Sequence, residues 1–190
     1  MDGSNGRINS FALVSYLTGP LAVLLDEIRH DFAPDSRAKA HLTILPPRPL
    51  ECFGGPTAIP DTLQQIETHL QNFAPFDVEL GDIEVFPDTH VIYVSIKIGF
   101  TELERMHQAL NAGFLSCQEP HTYHPHVTVV QELAPADVLN AAQFARWRWS
   151  EFKQSRTVRV DRLTFVQNTI ENTWTDLAML DLGSPVTRHA

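Results

Sequence analysis

His41-Leu42-Thr43-Ile44 returns eighty-five residues later as His126-Val127-Thr128-Val129, and the reading of these two tetrapeptides decides the fold. In an extended strand residues i and i+2 share a face. Each copy therefore points a histidine and a hydroxyl one way and two aliphatic side chains the other. One face suits chemistry and the other packing. Two such strands brought together would set two imidazoles around a small space with a Thr hydroxyl beside each, an arrangement suited to proton transfer on an oxyanion such as a phosphate.

With nine His among 190 residues and fifteen Thr, random shuffling would produce roughly 0.7 His-x-Thr triplets, so the triplets alone carry little weight. Their surroundings carry more. Both are followed by an aliphatic residue, both lie in strand-like runs (His-Leu-Thr-Ile-Leu and His-Val-Thr-Val-Val), and both lead into a Pro-bearing segment ahead of a helix.

Working outward, the polar, Gly-rich residues 1–10 are expected to form a flexible N-terminus. Phe11 to Leu17 reads as a strand, and Pro20 opens a helix with Leu21, Leu24, Leu25, Ile28 and Phe32 at helical spacing and Asp26, Glu27 and Arg29 left for solvent. The first His-x-Thr strand follows. Then come a loop set by Pro46, Pro47 and Pro49, a helix from about Pro60, and a strand over Phe76 to Phe86. Beyond Pro87-Asp88 the order restarts: a strand from Val91, a helix whose Thr101 and Glu104 form a capping box, the second His-x-Thr strand, and a helix entered at Pro135. Strands near Thr157–Val166 and Trp174–Leu182 close the chain. Each half thus reads strand, helix, His-x-Thr strand, helix, strand. This predicts an internal duplication with a pseudo-two-fold axis, half-repeats over 11–86 and 90–167, a closing strand over 174–182 and a C-terminal tail over 184–190. The two motif strands would face each other across a groove.

A hydrophobic content of 43% is ample for a core in one domain or two small fused lobes. Fourteen basic against twenty-three acidic residues give a net charge of −9, which argues against a duplex-coating surface, so duplex DNA is excluded as a partner and any nucleic acid is expected to be small or an RNA end. Cys52 and Cys117 are far apart with no Cys-x-x-Cys spacing and read as buried or free thiols, with a reducing cytoplasm as the expected compartment. The apolar stretch from Phe11 to Leu25 is interrupted by Thr18-Gly19-Pro20 and no run approaches the ~18 apolar residues of a spanning helix, so neither export nor membrane insertion is expected.

On His41-Leu42-Thr43-Ile44, on Pro125-His126-Val127-Thr128-Val129 and on their place in the duplicated order, the chain resembles the 2H phosphoesterase superfamily, in its 2′-5′ RNA ligase-like and cyclic phosphodiesterase branch. The resemblance runs from Phe11 to the closing Trp174–Gly183 segment. It implies an α+β, bilobal fold in which two antiparallel-rich sheets with outer helices enclose a central groove over residues 11–183. It further implies a metal-independent enzyme that opens 2′,3′-cyclic phosphates or makes and breaks 2′-5′ linkages, with no cofactor. His41 and His126 would supply acid and base, and Thr43 and Thr128 would contact phosphate oxygens. The substrate would be a small cyclic nucleotide or the 2′,3′-cyclic end of a short RNA, and the protein a monomer.

Other residues are candidates on their own chemistry. Arg48 could reach a phosphate or base from the Pro-rich loop, and Tyr123 could stack on a base. Phe86 and His90 could rim the groove, while Trp147 and Trp149 would pack helix on sheet. Two rival readings stand beside the enzyme: a binding module of the same fold that holds a nucleotide or RNA end without turnover, and a metal-dependent hydrolase built on His121, His124 and His126. The metal reading leaves the first triplet unexplained.

Overall fold

The computed structural model describes residues 10–53, 59–168 and 173–183. Residues 1–9 of the expected flexible N-terminus and the tail over 184–190 lie outside them, and Ser10 already belongs to the first strand. The strands are β1 (Ser10–Tyr16), β2 (His41–Pro49), β3 (Phe76–Val85), β4 (Ile92–Ile98), β5 (Val127–Val130), β6 (Thr157–Val160), β7 (Arg162–Asn168) and β8 (Trp174–Asp181). Between them run the helices α1 (Gly19–Phe32), α2 (Ile59–Leu70), α3 (Phe100–Leu110) and α4 (Pro135–Glu151). The protein is thus α+β.

All eight strands form one antiparallel sheet in the order β6-β3-β4-β5-β2-β1-β7-β8. The two sheets expected from the sequence are continuous through a single bridge, Leu42 opposite Val127. From that seam the order is palindromic: β5 and β2 at the centre, then β4 and β1, β3 and β7, β6 and β8. We call the β3–β6 half the first lobe and the half containing β1, β2, β7 and β8 the second. Helices α1 and α4 cover the first lobe, α2 and α3 the second. Neither expected half-repeat closes on itself, because β3 pairs with β4 and β7 with β1.

Four local expectations are corrected. Arg29, assigned to solvent, is 6% exposed and faces inward beside Leu25 and Ile28. The Pro46–Pro49 segment is the end of β2, with Arg48 opposite Phe11 and Pro49 opposite Ser10. Among the described residues its other edge has no strand neighbour beyond Leu42, so prolines lacking an N–H are tolerated there. No capping box starts α3: Gly99, with φ of 94°, is the N-cap, and Leu103 N–H donates to its carbonyl at 3.1 Å. A Cβ on Gly99 would lie 3.1 Å from the Asp77 carbonyl, so the chain corners here before Thr101 is reached. Finally, Cys52 and Cys117 are joined in a disulfide with Cα atoms 5.6 Å apart. A separation of 65 residues in sequence gave no local sign that the two would meet. Trp149 packs as expected, its indole N–H on the Gly81 carbonyl at 3.0 Å, whereas Trp147 is exposed.

The core lies between helices and sheet. Leu42 and Ile44 of β2, and Val127 and Val129 of β5, are fully or almost fully buried in it. Period-two alternation then turns His41, Thr43, His126 and Thr128 to the opposite, groove-side face.

Candidate active site

Leu42 opposite Val127 fixes the register at the seam: His41 falls across from Thr128, and Thr43 across from His126. The four motif side chains therefore occupy one small patch of one face. The histidines are close enough for a charge on His126 to oppose one on His41.

Each imidazole is held in the same way. His41 Nδ1 lies 2.7 Å from the Lys39 carbonyl, and His126 Nδ1 lies 2.7 Å from the His124 carbonyl. A carbonyl can only accept, so Nδ1 carries the proton of the neutral ring and Nε2 keeps the free lone pair. Burial depresses both pKa values below the ordinary histidine value. The bonds to Lys39 and His124 oppose that shift, while the charges of Arg29 and His126 add to it at His41, and that of His124 adds to it at His126.

Beyond the bridge, β2 and β5 diverge, and their freed carbonyls are capped by side chains from the covering elements. On β2, the Tyr123 hydroxyl donates to the Thr43 carbonyl at 2.8 Å and His107 Nδ1 to the Ile44 carbonyl at 2.9 Å, with the two rings stacked at 3.8 Å. On β5, Arg29 from α1 reaches the equivalent pair, Thr128 carbonyl at 2.8 Å and Val129 carbonyl at 3.1 Å. The same guanidinium binds the Ala38 carbonyl at 2.6 Å, three residues before His41, and Asp26 at 2.6 Å. Arg29 thus fastens the second motif strand and the approach to the first histidine.

Tyr123 and Arg48 are engaged in this support. Tyr123 is sandwiched against His107, and burial with the nearby Glu119 carboxylate pushes its phenol well above the ordinary tyrosine value. Arg48 is 3% exposed. Its guanidinium donates to Asn111 Oδ1 at 2.8 Å and the Leu115 carbonyl at 3.2 Å, and pairs with Glu119. Phe86 does reach the site: it stacks on Tyr93 at 3.9 Å and meets the His126 ring edge-on at 5.0 Å. His90 is exposed with φ of 57° in the turn before β4. Among the described residues, His121, His124 and His126 included, no three metal-ligating side chains converge.

On the side of His41 the ring neighbour is Tyr16, edge-on at 6.3 Å, its hydroxyl donating to Asp176 at 2.6 Å. Tyr16 could have been read from β1 by its alternation with Val14 and Ala12. Arg29, His107 and Glu119 gave no such signal, because each acts across more than sixty residues of sequence.

Solved structures share this fold. Escherichia coli LigT complexed with ATP superposes with a TM-score of 0.62 at 14% identity, over 93% of this chain and 99% of that one. Kluyveromyces marxianus Usb1 does so with 0.54 at 11% identity, over 93% and 99%. A candidate phosphoesterase of Bacillus cytotoxicus is 26% identical over 145 residues, 75% of this chain and 78% of that protein. Another, from Oceanobacillus iheyensis, is 22% identical over 127 residues, 65% and 70% of the two chains. The 2′-5′ RNA ligase superfamily model matches residues 18–169. The chain belongs to that superfamily, the 2H phosphoesterases.

Proposed function

We propose that the protein opens 2′,3′-cyclic phosphates on a small nucleotide or RNA end, without a metal, using His41 and His126 as the acid-base pair. The observation that carries the reading is the matched pinning of both imidazoles at Nδ1, which leaves two Nε2 atoms for one phosphorus. The neutral histidine takes a proton from water as its oxygen bonds to phosphorus. The protonated one gives its proton to the ribose oxygen as the P–O bond breaks. The pair ends with one proton, roles exchanged. The same step with a ribose 5′-hydroxyl in place of water, the bond from phosphorus to the 3′ oxygen breaking, makes a 2′-5′ linkage. Thr43 and Thr128 donate to the non-bridging oxygens, where charge grows in the transition state.

LigT has been crystallised with ATP and with 3′-AMP, which supports a nucleotide as ligand. The protein is taken to act as a monomer in the cytoplasm. No described helix is long and apolar enough to cross a membrane. In a reducing cytoplasm thiol pools act on the Cys52–Cys117 bridge, so the reduced protein has to remain active.

The test is turnover of a 2′,3′-cyclic nucleotide in chelator. Activity should persist, and His41→Ala and His126→Ala should each cut it by about 10²–10⁴. The double variant should lose far less than the product of the two, since the residues act as one unit. Activity abolished by chelator and restored by zinc would move the assignment to His121, His124 and His126. Unchanged turnover with weakened ligand binding in every variant would leave a binding module.

A further inference from the structure

Six of the fourteen Lys and Arg residues of this acidic chain fall between Arg146 and Arg162. Arg148 and Arg159 are neutralised by Glu27 at 2.7 Å and Asp77 at 3.0 Å. Arg146 and Arg156 have no ion pair among the described residues, and both line one recess between α4 and β3, on the helix side of the first lobe. The recess forms where β3 bulges. Its register against β4 breaks between Leu80 and Ile83, and Gly81 lets the backbone pass Ser95, whose Oγ would lie 2.6 Å from a Cβ there. The carbonyls of this stretch are taken by α4: that of Gly81 by the Trp149 indole at 3.0 Å, that of Ile83 by Arg146 Nε at 3.1 Å. Arg156 lies over the Trp149 ring at 4.4 Å and donates to the Trp149 carbonyl at 2.7 Å. Each guanidinium is thus fixed by a bond to the backbone and has further N–H groups to offer a ligand. A bare helix C-terminus would repel an anion. Here the last carbonyls are occupied, that of Trp149 by the Phe152 N–H and Arg156, that of Ser150 by Lys153 Nζ at 2.8 Å. One acid shares the recess: Asp82 spends its N–H and carbonyl on Ser95 Oγ, at 3.0 and 3.2 Å, and its carboxylate has no partner among the described residues.

We propose that this recess, about 660 Å³ with its open mouth included, is a second anion site, separate from the groove, that takes inorganic phosphate. Two guanidinium forks match a tetrahedral oxyanion. Asp82 decides which one, because hydrogen phosphate keeps an O–H to donate to a carboxylate, whereas sulfate has none and is repelled by it. A phosphate monoester at about pH 7.5 has also lost its second proton and meets the same repulsion. Recognition is by charge rather than by stacking, since Trp149 is 4% exposed with Arg156 over its ring. The site lies across the sheet from His41 and His126 and stands whether or not the groove turns over an ester.

The Trp149 indole N–H, bonded to Gly81 and lying under Arg156, reports occupancy in a proton–nitrogen NMR spectrum without any turnover. Sodium phosphate titrated at about pH 7.5 and constant ionic strength should move that signal saturably, and sulfate and methyl phosphate should bind at least about ten-fold more weakly. Arg146→Gln and Arg156→Gln should each weaken phosphate by about ten-fold or more. Asp82→Asn leaves both arginines in place and should abolish the preference, weakening phosphate and strengthening sulfate. Asp82 is exposed, so this variant covers the case in which an arginine variant does not fold. A signal that does not saturate, or that responds in all three variants as in the native protein, overturns the site. Equal affinity for phosphate and sulfate in the native protein overturns its assignment to phosphate.

Discussion

At the residue scale, His41 and His126 are each pinned at Nδ1, so both titrate through Nε2. In the proposed mechanism the active form holds a single proton between them, and its two apparent pKa values belong to the pair. Burial lowers both, and at His41 the charge of His126 lowers it further. The profile of kcat/KM against pH should therefore be a bell with its maximum on the acid side of about 6.5, the unperturbed histidine value. A maximum well above that would mean that neither group is depressed in the free enzyme. Stability carries the same sign. Between the lowered folded values and about 6.5 the unfolded chain binds more protons than the folded one, so stability falls as pH drops through that window. Urea midpoints at about pH 5.5 and about pH 7.5 should show the loss, and it should shrink when both histidines become Asn. Thr43→Val and Thr128→Val keep the branched shape and should reduce kcat by up to about 10²–10³ without changing the fold. These four residues were legible because strand alternation tags one face twice. Arg48 and Tyr123 were legible only as chemistry. Their partners Glu119 and His107 arrive from other parts of the chain, so sequence could not show that they are engaged in supporting β2 rather than facing a ligand.

The motif strands meet at one residue pair and then separate, and helices fill the gap. Arg29 is the largest single piece of this, with four acceptors on three segments of the chain. Arg29→Met keeps the buried stem but strands the Thr128, Val129 and Ala38 carbonyls, at about 1–3 kcal/mol for each buried group left without a partner. Urea denaturation should show a total loss of several kcal/mol, with turnover reduced in whatever remains folded. Helical spacing predicted the apolar face of α1 well. It could not assign Arg29, which borders that face and is drawn inward only because β5, a hundred residues away, offers it carbonyls. The start of α3 was misread for a related reason: Thr101 and Glu104 fit a capping box locally, but the corner is set by Gly99 against Val78 and Asp77 of β3. Gly99→Ala combines a positive φ with a close backbone contact, so thermal unfolding should register a loss of about 1–3 kcal/mol.

Across the whole molecule, the helix that follows β1 crosses to cover the first lobe, and the helix that follows β4 crosses to cover the second. The duplication was readable in the repeated order of elements, but this exchange was not, because order along the chain says nothing about which lobe a helix covers. The disulfide lies within the same interlocked arrangement, tying the segment after β2 to the segment between α3 and the second motif. It closes a loop of 65 residues, worth about 4 kcal/mol if stabilisation comes from the entropy of the unfolded chain. None of the bonds that pin the imidazoles, tie Arg29 to β5 or join Tyr123 to Thr43 involves a sulfur atom, and neither do those of Arg48 to Asn111 and Glu119. The doubly substituted Cys52→Ser/Cys117→Ser protein should accordingly unfold at lower urea, by up to about 4 kcal/mol, yet keep turnover within about two-fold. Activity lost with the native circular dichroism retained would show that the bridge sets the geometry of the site. A protein that needs its bridge in this way could not work in a reducing cytoplasm, and the proposed compartment would have to be given up while the two-histidine chemistry stood.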